Sequence, residues 1–166
     1  MRLTAMTDFS MRLLMYLGNH PERLCTIAEI AQVHGISEPH LMKITHRLAQ
    51  AGWIETIRGK NGGMRLAKDP SQISLGAVVR DMENDLAVVA CLGGQNPECI
   101  LIGNCGLTRI MQGALDQFLG HLDRHTLADV LPGRTGQTSS QRTVTGCERK
   151  TEMTVSFTSP STSEIT

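Results

Sequence analysis

The sequence predicts a mainly α-helical chain with one small β-hairpin and a long amphipathic helix toward its C-terminal side. Three observations predict this class. Residues 26–52 contain two helix-like segments joined by a glycine turn. The apolar period then shortens to strand-like spacing around an Asn-Gly turn, and residues 107–122 return to helical spacing. Because only 3% of the residues are aromatic and 40% are hydrophobic, the core must come mainly from aliphatic side chains and methionine.

The first two helices are predicted from capping signals. Thr7 and Asp8 can cap a first helix that ends near Gly18. Thr26-x-x-Glu29 has the form of a capping box, in which each side chain accepts a hydrogen bond from the other residue's backbone amide. A short second helix therefore begins after Thr26.

A third helix follows the turn at Gly35. Ser37 is predicted to cap it, and Gly52 is predicted to end it in a left-handed conformation. The apolar residues of its buried face are Leu41, Ile44 and Leu48. Helix, glycine turn and helix together form the pattern of a helix-turn-helix.

Residues 53–57 and 64–66 are predicted to form two short strands, with Asn61-Gly62 as the turn between them. This hairpin is the expected wing of a winged helix-turn-helix. Its tip carries cations beside three glycines, so side chains and backbone amides can approach a phosphate backbone closely.

The distribution of charge favours a polyanionic partner for the N-terminal part of the chain. The net charge of the whole chain is zero, but residues 1–68 hold nine Lys or Arg against five Asp or Glu, a balance of +4. Residues 69–134 hold four against eight, a balance of −4. Double-stranded DNA is the predicted partner, although solvated helix faces can carry the same charges. The residues predicted to contact it are Ser37, Glu38, His40, Lys43 and Arg47 on the third helix, and Arg58, Lys60, Asn61 and Arg65 in the wing.

Three cysteines lie in one glycine-containing loop after a helix that Ser74 is predicted to cap. Cys91, Cys99 and Cys105 have the spacing C-x7-C-x5-C. Thiolates bind zinc, copper(I) or iron–sulfur clusters, and structural zinc sites usually have four local ligands with closer pairs. The spacing therefore indicates a metal centre, with reactive or buried thiols as the alternative. Cys25 and Cys147 lie apart from this loop and are not predicted ligands.

Residues 107–122 form the longest amphipathic run of the chain, and a second subunit of a homodimer, or else the chain's own domain, is predicted to cover its apolar stripe. The stripe consists of Leu107, Ile110, Met111, Ala114, Leu115, Phe118, Leu119 and Leu122. Residues 133–166 are rich in Ser, Thr and Gly and are predicted to be disordered. The predicted division is 1–68 for the DNA-binding domain, 69–132 for the cysteine loop and dimerisation helix, and 133–166 for the tail. No stretch predicts a signal peptide or a membrane span, so a cytoplasmic location is expected.

Residues 1–132 resemble a known family in several segments at once. The opening MRLTAMTDFSMRLLMYL, the wing IRGKNGGMRLAKDP, the segment ISLGAVVRDME, the three cysteines and the closing HTLADVL are similar to the NsrR, IscR and RirA family of bacterial iron–sulfur winged-helix regulators. The resemblance implies a homodimeric transcriptional repressor of promoter DNA. It also implies an iron–sulfur cluster, with 4Fe-4S favoured and 2Fe-2S possible, held by Cys91, Cys99 and Cys105.

The branches of the family differ in the fourth ligand. The IscR type has a histidine three residues after the last cysteine, where this chain has Thr108. The nitric-oxide-sensing NsrR type uses an aspartate near the N-terminus, supplied by the partner subunit, and Asp8 occupies the matching place. The resemblance therefore favours a nitric-oxide sensor whose cluster nitrosylation releases the DNA. Asp8 has a second interpretation, because an acidic residue in the first turn of a helix also stabilises the helix dipole.

The alternatives are an iron-responsive repressor of the RirA type, a cluster-status sensor of the IscR type, a cluster assembly or carrier protein, and a metal-free thiol switch. An enzyme is not expected, because the sequence contains no paired carboxylates, nucleophile–base set or nucleotide-binding loop.

Overall fold

The computed structural model describes residues 2–93 and 105–132. Five helices, two strands and three short 3₁₀ turns lie in these residues. The helices are α1 (Ala5–Gly18), α2 (Ile27–His34), α3 (Glu38–Gln50), α4 (Leu75–Met82) and α5 (Gly106–Asp123), and the strands are β1 (Ile54–Ile57) and β2 (Gly63–Leu66). The 3₁₀ turns span Pro70–Gln72, Ala90–Leu92 and Leu127–Val130. The predicted mainly helical class with one hairpin is confirmed.

Helix α1 begins earlier than its sequence predicts. Thr4, not Thr7 or Asp8, is the N-cap, and its hydroxyl accepts a hydrogen bond from the Thr7 amide at 3.4 Å. The Thr4 amide donates to the carboxylate of Glu83 at 2.7 Å, a partner 79 residues away. The predicted cap at Thr7 and Asp8 was therefore wrong, because a distant side chain stabilises the earlier start.

Helices α2 and α3 form the predicted helix-turn-helix. The capping box of Thr26 and Glu29 is present, and Gly35 ends α2 with a φ of 64°. Glu29 also binds Arg23 and Tyr16, and hydrogen bonding from Arg23, then from Tyr16, lowers the pKa of Glu29 to about 2. The first helix of the motif is thereby fixed against α1.

The N-terminus of α3 differs from the prediction in one detail. Ser37 lies at the N-cap, but its hydroxyl makes no capping hydrogen bond. Proline has no N–H group, so Pro39 cannot donate a hydrogen bond to this hydroxyl. The amide of His40 donates to the Ser37 carbonyl oxygen instead. Gly52 follows the helix with a φ of 74°, as predicted.

Strands β1 and β2 pair in antiparallel register, with Ile54 opposite Leu66 and Ile57 opposite Gly63. On the other edge of β2, Met64 exchanges backbone hydrogen bonds with Cys25, at 2.8 and 3.0 Å. The wing is therefore attached to the segment that precedes α2 as well as to α3.

One apolar core joins the winged helix to the residues that follow it. Buried side chains of α1, α3 and α4 pack together with residues of the C-terminal 3₁₀ turn. The fully buried ones include Leu13, Leu14, Leu17, Leu41, Ile44, Leu48, Ile73, Val78, Met82 and Leu127. Packing is thus continuous across residue 68.

Helix α5 lies against α4 at one close approach. Arg80 forms a two-pronged salt bridge with Asp123, at 2.6 and 2.7 Å. A Cβ atom at Gly76 would lie 2.1 Å from the Asp123 carboxylate, so a larger residue here would displace the side chain that binds Arg80. Among the described residues, no helix is long and apolar enough to span a membrane.

One part of the apolar stripe of α5 is buried within the subunit, and another part is exposed. Leu115 is 8% exposed and packs within its own subunit, whereas Leu107 and Ile110 are 59% and 68% exposed. The sequence placed Leu115 in the same uncovered stripe, and the structure corrects that placement. The uncovered face is the one that carries Leu107, Ile110 and Ala114.

Candidate nucleic-acid interface and cysteine site

The exposed face of α3 lies opposite its buried residues. Ser37, Glu38 and Lys43 are exposed there, as expected for side chains that face a DNA groove. In the described part of the chain, the Lys43 side chain makes no hydrogen bond or ion pair. Met42, which was not predicted, is 53% exposed on the same helix. Met42 could have been predicted from the sequence, because it is an apolar residue outside the buried stripe of α3. An exposed apolar side chain on this helix can contact the methyl group of thymine.

His40 and Arg47 are engaged by their own subunit. The His40 ring packs edge-on against Phe9 of α1, with 5.2 Å between ring centroids. Arg47 donates from Nη1 to Oδ1 of Asn84 at 2.8 Å. Both side chains are half-buried. Their contacts with Phe9 and Asn84 therefore set the positions from which they could reach DNA.

The wing tip carries the cations that the sequence predicted. Arg58, Lys60 and Asn61 are exposed, and Asn61 has a φ of 68°. A Cβ atom at Gly62 would lie 2.3 Å from the Ile57 carbonyl oxygen, so this tight turn excludes larger residues. Arg65 is paired across the strands with Glu55, at 2.8 and 3.0 Å.

Replacing Arg58 or Lys60 with Ala is expected to weaken DNA binding across all sequences. Each loss of a phosphate contact should reduce the slope of log K against log salt by about one unit. Fluorescence anisotropy between 50 and 200 mM salt measures this slope. Arg124→Ala, which removes an exposed cation beyond α5, is the matched control and should leave the slope unchanged. Unchanged slopes for both wing variants would remove the wing from the interface.

Two of the three loop cysteines lie in the described residues and share one neighbour. Cys91 lies in the 3₁₀ turn Ala90–Leu92, and Cys105 is the N-cap of α5. The Cys91 Sγ lies 3.3 Å from the hydroxyl oxygen of Thr108. The nearby hydroxyl and amide of Thr108, followed by the amide of Leu107, lower the pKa of Cys105. This environment favours the Cys105 thiolate, and the thiolate is the form that binds metal.

The other cysteines are placed differently. Cys25 is fully buried, and burial raises the pKa of its thiol. A buried neutral thiol is a packed residue, in agreement with its exclusion from the predicted ligands. Cys99 and Cys147 lie outside the described residues.

Asp8 lies on the exposed face of α1, where its carboxylate pairs with Arg12 at 3.0 Å. In residues 2–93 and 105–132, no three His, Cys, Asp or Glu side chains converge as a metal site. Asp8, Cys91 and Cys105 are therefore not brought together within one subunit.

The C-terminal end of α4 connects α1, α3 and the start of the hairpin to the cysteine segment. Asp81 accepts a hydrogen bond at 2.8 Å from the indole of Trp53, the residue immediately before β1. Glu83 accepts from Thr4 at the start of α1, and Asn84 accepts from Arg47 of α3. Residues 81–84, which we call the α4 junction, thus contact three elements a few positions before Cys91.

Residues 3–133 match the family model described as "Iron-dependent Transcriptional regulator", Rrf2. The chain belongs to the Rrf2 family. This Rrf2 chain is also 47% identical over 135 residues to the HTH-type transcriptional regulator NsrR of Geobacillus kaustophilus, covering 81% of this chain and 92% of that relative. The predicted resemblance to the NsrR and IscR group of transcriptional repressors is confirmed.

Solved structures show the same fold. CymR, the global cysteine regulator of B. subtilis, matches with a TM-score of 0.65 and 23% identity, covering 78% of this chain and 95% of CymR. IscR of T. potens matches with a TM-score of 0.63 and 24% identity, covering 78% of this chain and 85% of IscR. Both structures therefore share the fold of this Rrf2 protein.

Proposed function

We propose that this Rrf2 protein is a cytoplasmic, homodimeric iron–sulfur repressor that releases promoter DNA in response to nitric oxide. The observation that carries the proposal is that Cys91 and Cys105 meet at the start of α5: the Cys91 sulfur lies 3.3 Å from the Thr108 hydroxyl in the first turn, and Cys105 is the N-cap. Cys99, between them in sequence, would supply the third thiolate. Soft sulfur ligands suit an iron–sulfur cluster, with 4Fe-4S favoured.

Asp8 of the partner subunit would complete the ligand set. A carboxylate oxygen is a harder ligand than a thiolate, so the cluster supplies one iron that a small diatomic ligand such as nitric oxide can reach. In the single chain Arg12 binds the Asp8 carboxylate, so the residue has a second partner available when it leaves the cluster. Exchange between the two partners would move α1 of one subunit relative to the cysteine segment of the other.

The α4 junction offers a route from the site to DNA. Its bonds to Trp53, Thr4 and Arg47 connect the wing, α1 and the DNA-reading helix to the segment before Cys91. Two helix-turn-helix units must lie about 34 Å apart to occupy successive major grooves, so a small change in their separation weakens specific binding. The response is therefore a shift between two dimer geometries.

Anaerobic purification followed by iron and sulfide analysis tests the cluster, and DNA binding by the loaded and chelator-stripped protein tests its control of repression. We expect the purified protein to contain iron and sulfide. The DNA is selected from a random pool with the loaded protein, and we expect the loaded form to bind it more tightly than the stripped form. Equal affinity of the loaded and stripped forms would contradict the proposal.

Asp8→Ala is expected to retain a bound but altered cluster, because three thiolates remain. The visible circular dichroism should change, and the response of DNA binding to nitric oxide should weaken. Arg12→Ala, which breaks the same ion pair without removing a ligand, is the control and should keep the parent spectrum. If Asp8 serves only the helix dipole, Asp8→Ala costs up to about 1 kcal/mol of stability and leaves the spectrum unchanged.

A further inference from the structure

Thr108 occupies a position between the two described loop cysteines that their ligand role alone does not explain. It lies in the first turn of α5 and is half-buried. Its hydroxyl oxygen is 3.3 Å from the Cys91 sulfur. Thr108 thereby connects the 3₁₀ turn that carries Cys91 to the first turn of α5, whose N-cap is Cys105.

The direction of the contact with Cys91 depends on the charge of the sulfur. Either atom could be the donor while the thiol is neutral. A metal-bound thiolate can only accept, and a threonine hydroxyl has one proton to donate, so the hydroxyl then donates to Cys91. Threonine is β-branched and has few χ1 conformations in a helix, so the hydroxyl is held in place at little entropic cost.

We propose that Thr108 is a positioning residue of the cysteine site: its hydroxyl donates to the metal-bound thiolate of Cys91, orients that ligand and slows loss of the cluster. This inference rests on the proposed function. Groups that hydrogen-bond to metal ligands fix the ligand's orientation, and their removal typically costs about 10–100-fold in metal affinity. Thr108 itself is not a ligand in this account, so its loss should weaken the cluster without preventing its formation.

Thr108→Val tests the proposal, because valine keeps the shape of threonine and removes the hydroxyl. The parent and variant are purified anaerobically as full chains, and loss of visible absorbance is followed after adding a ferrous chelator. We expect Thr108→Val to take up iron and sulfide but to lose them about tenfold faster. Thr108→Ser restores the hydroxyl and is expected to return the rate toward that of the parent. Visible circular dichroism should show an altered cluster in Thr108→Val alone.

Several outcomes decide the matter. Equal loss rates and spectra for the parent and Thr108→Val, with both fully loaded, would overturn the role of Thr108 and leave the proposed function standing. A parent that takes up no iron or sulfide would overturn both. If far-ultraviolet circular dichroism shows that Thr108→Val is unfolded, Thr108→Ala, which also lacks the hydroxyl, replaces it under the same expectations. A rate for Thr108→Ser equal to that of Thr108→Val would show that the hydroxyl is not responsible.

Discussion

Replacing Cys91 or Cys105 with Ala is expected to give folded, colourless protein whose iron and sulfide content is near zero. Each change removes one of three thiolates, and the remaining carboxylate is a weak ligand for a cluster iron. Cys91 and Cys105 are half-buried and lie outside the apolar core, so neither change opens a cavity in the core. Cys99→Ala should behave in the same way. Anaerobic absorption and metal analysis measure the result.

Cys25→Ala and Cys147→Ala are the controls. Cys25 is fully buried beside Met64, so its replacement should lower stability modestly, yet the colour should remain. Cys147 lies in the segment that was predicted to be disordered. A coloured Cys91→Ala or Cys105→Ala variant with normal iron content would refute the assignment of these ligands.

Ile110→Asp is expected to convert the dimer to monomers at micromolar concentration. Ile110 and Leu107 are the most exposed large hydrophobic residues of α5, and we infer that the second subunit covers them. Burying an unpaired carboxylate at such a contact costs several kcal/mol. A monomer presents one helix-turn-helix, so its affinity for the operator should fall toward the nonspecific range of about 10⁻⁴–10⁻⁶ M.

Gln112→Glu is the matched control, because it adds a carboxylate to α5 on a face turned roughly 160° from Ile110 at 3.6 residues per turn. Gln112 is exposed, and its side chain bonds within the helix to Asp116. Sedimentation velocity compares the three proteins. If Ile110→Asp remains as dimeric as the parent, the subunit interface lies on another surface.

Local signals predicted the winged helix well. The Thr26–Glu29 capping box, the turn at Gly35, the left-handed Gly52 and the hairpin around Asn61 all depend on residues near each other in the chain. The error at the start of α1 came from a contact between distant residues. Thr4 begins α1 because Glu83 accepts its amide, which the spacing of residues 4–8 does not reveal.

The same limit applied to the candidate site. The sequence identified Cys91 and Cys105 by spacing, but not the position of Thr108 between them, since that requires the turn and the helix to meet. Arg47 was predicted from its helical position, whereas its bond to Asn84 depends on the packing of α3 beside α4. Leu115 was assigned to the uncovered stripe because periodicity gives the width of an apolar face and not which neighbour covers each part of it.

A nitric-oxide titration of the loaded protein bound to its selected DNA tests the central claim most directly. Absorbance of the cluster and anisotropy of labelled DNA are recorded in the same anaerobic sample. The account predicts that the absorbance change and the release of DNA proceed together and reach completion at the same ratio of nitric oxide to cluster. DNA that stays bound after the absorbance change is complete would contradict it.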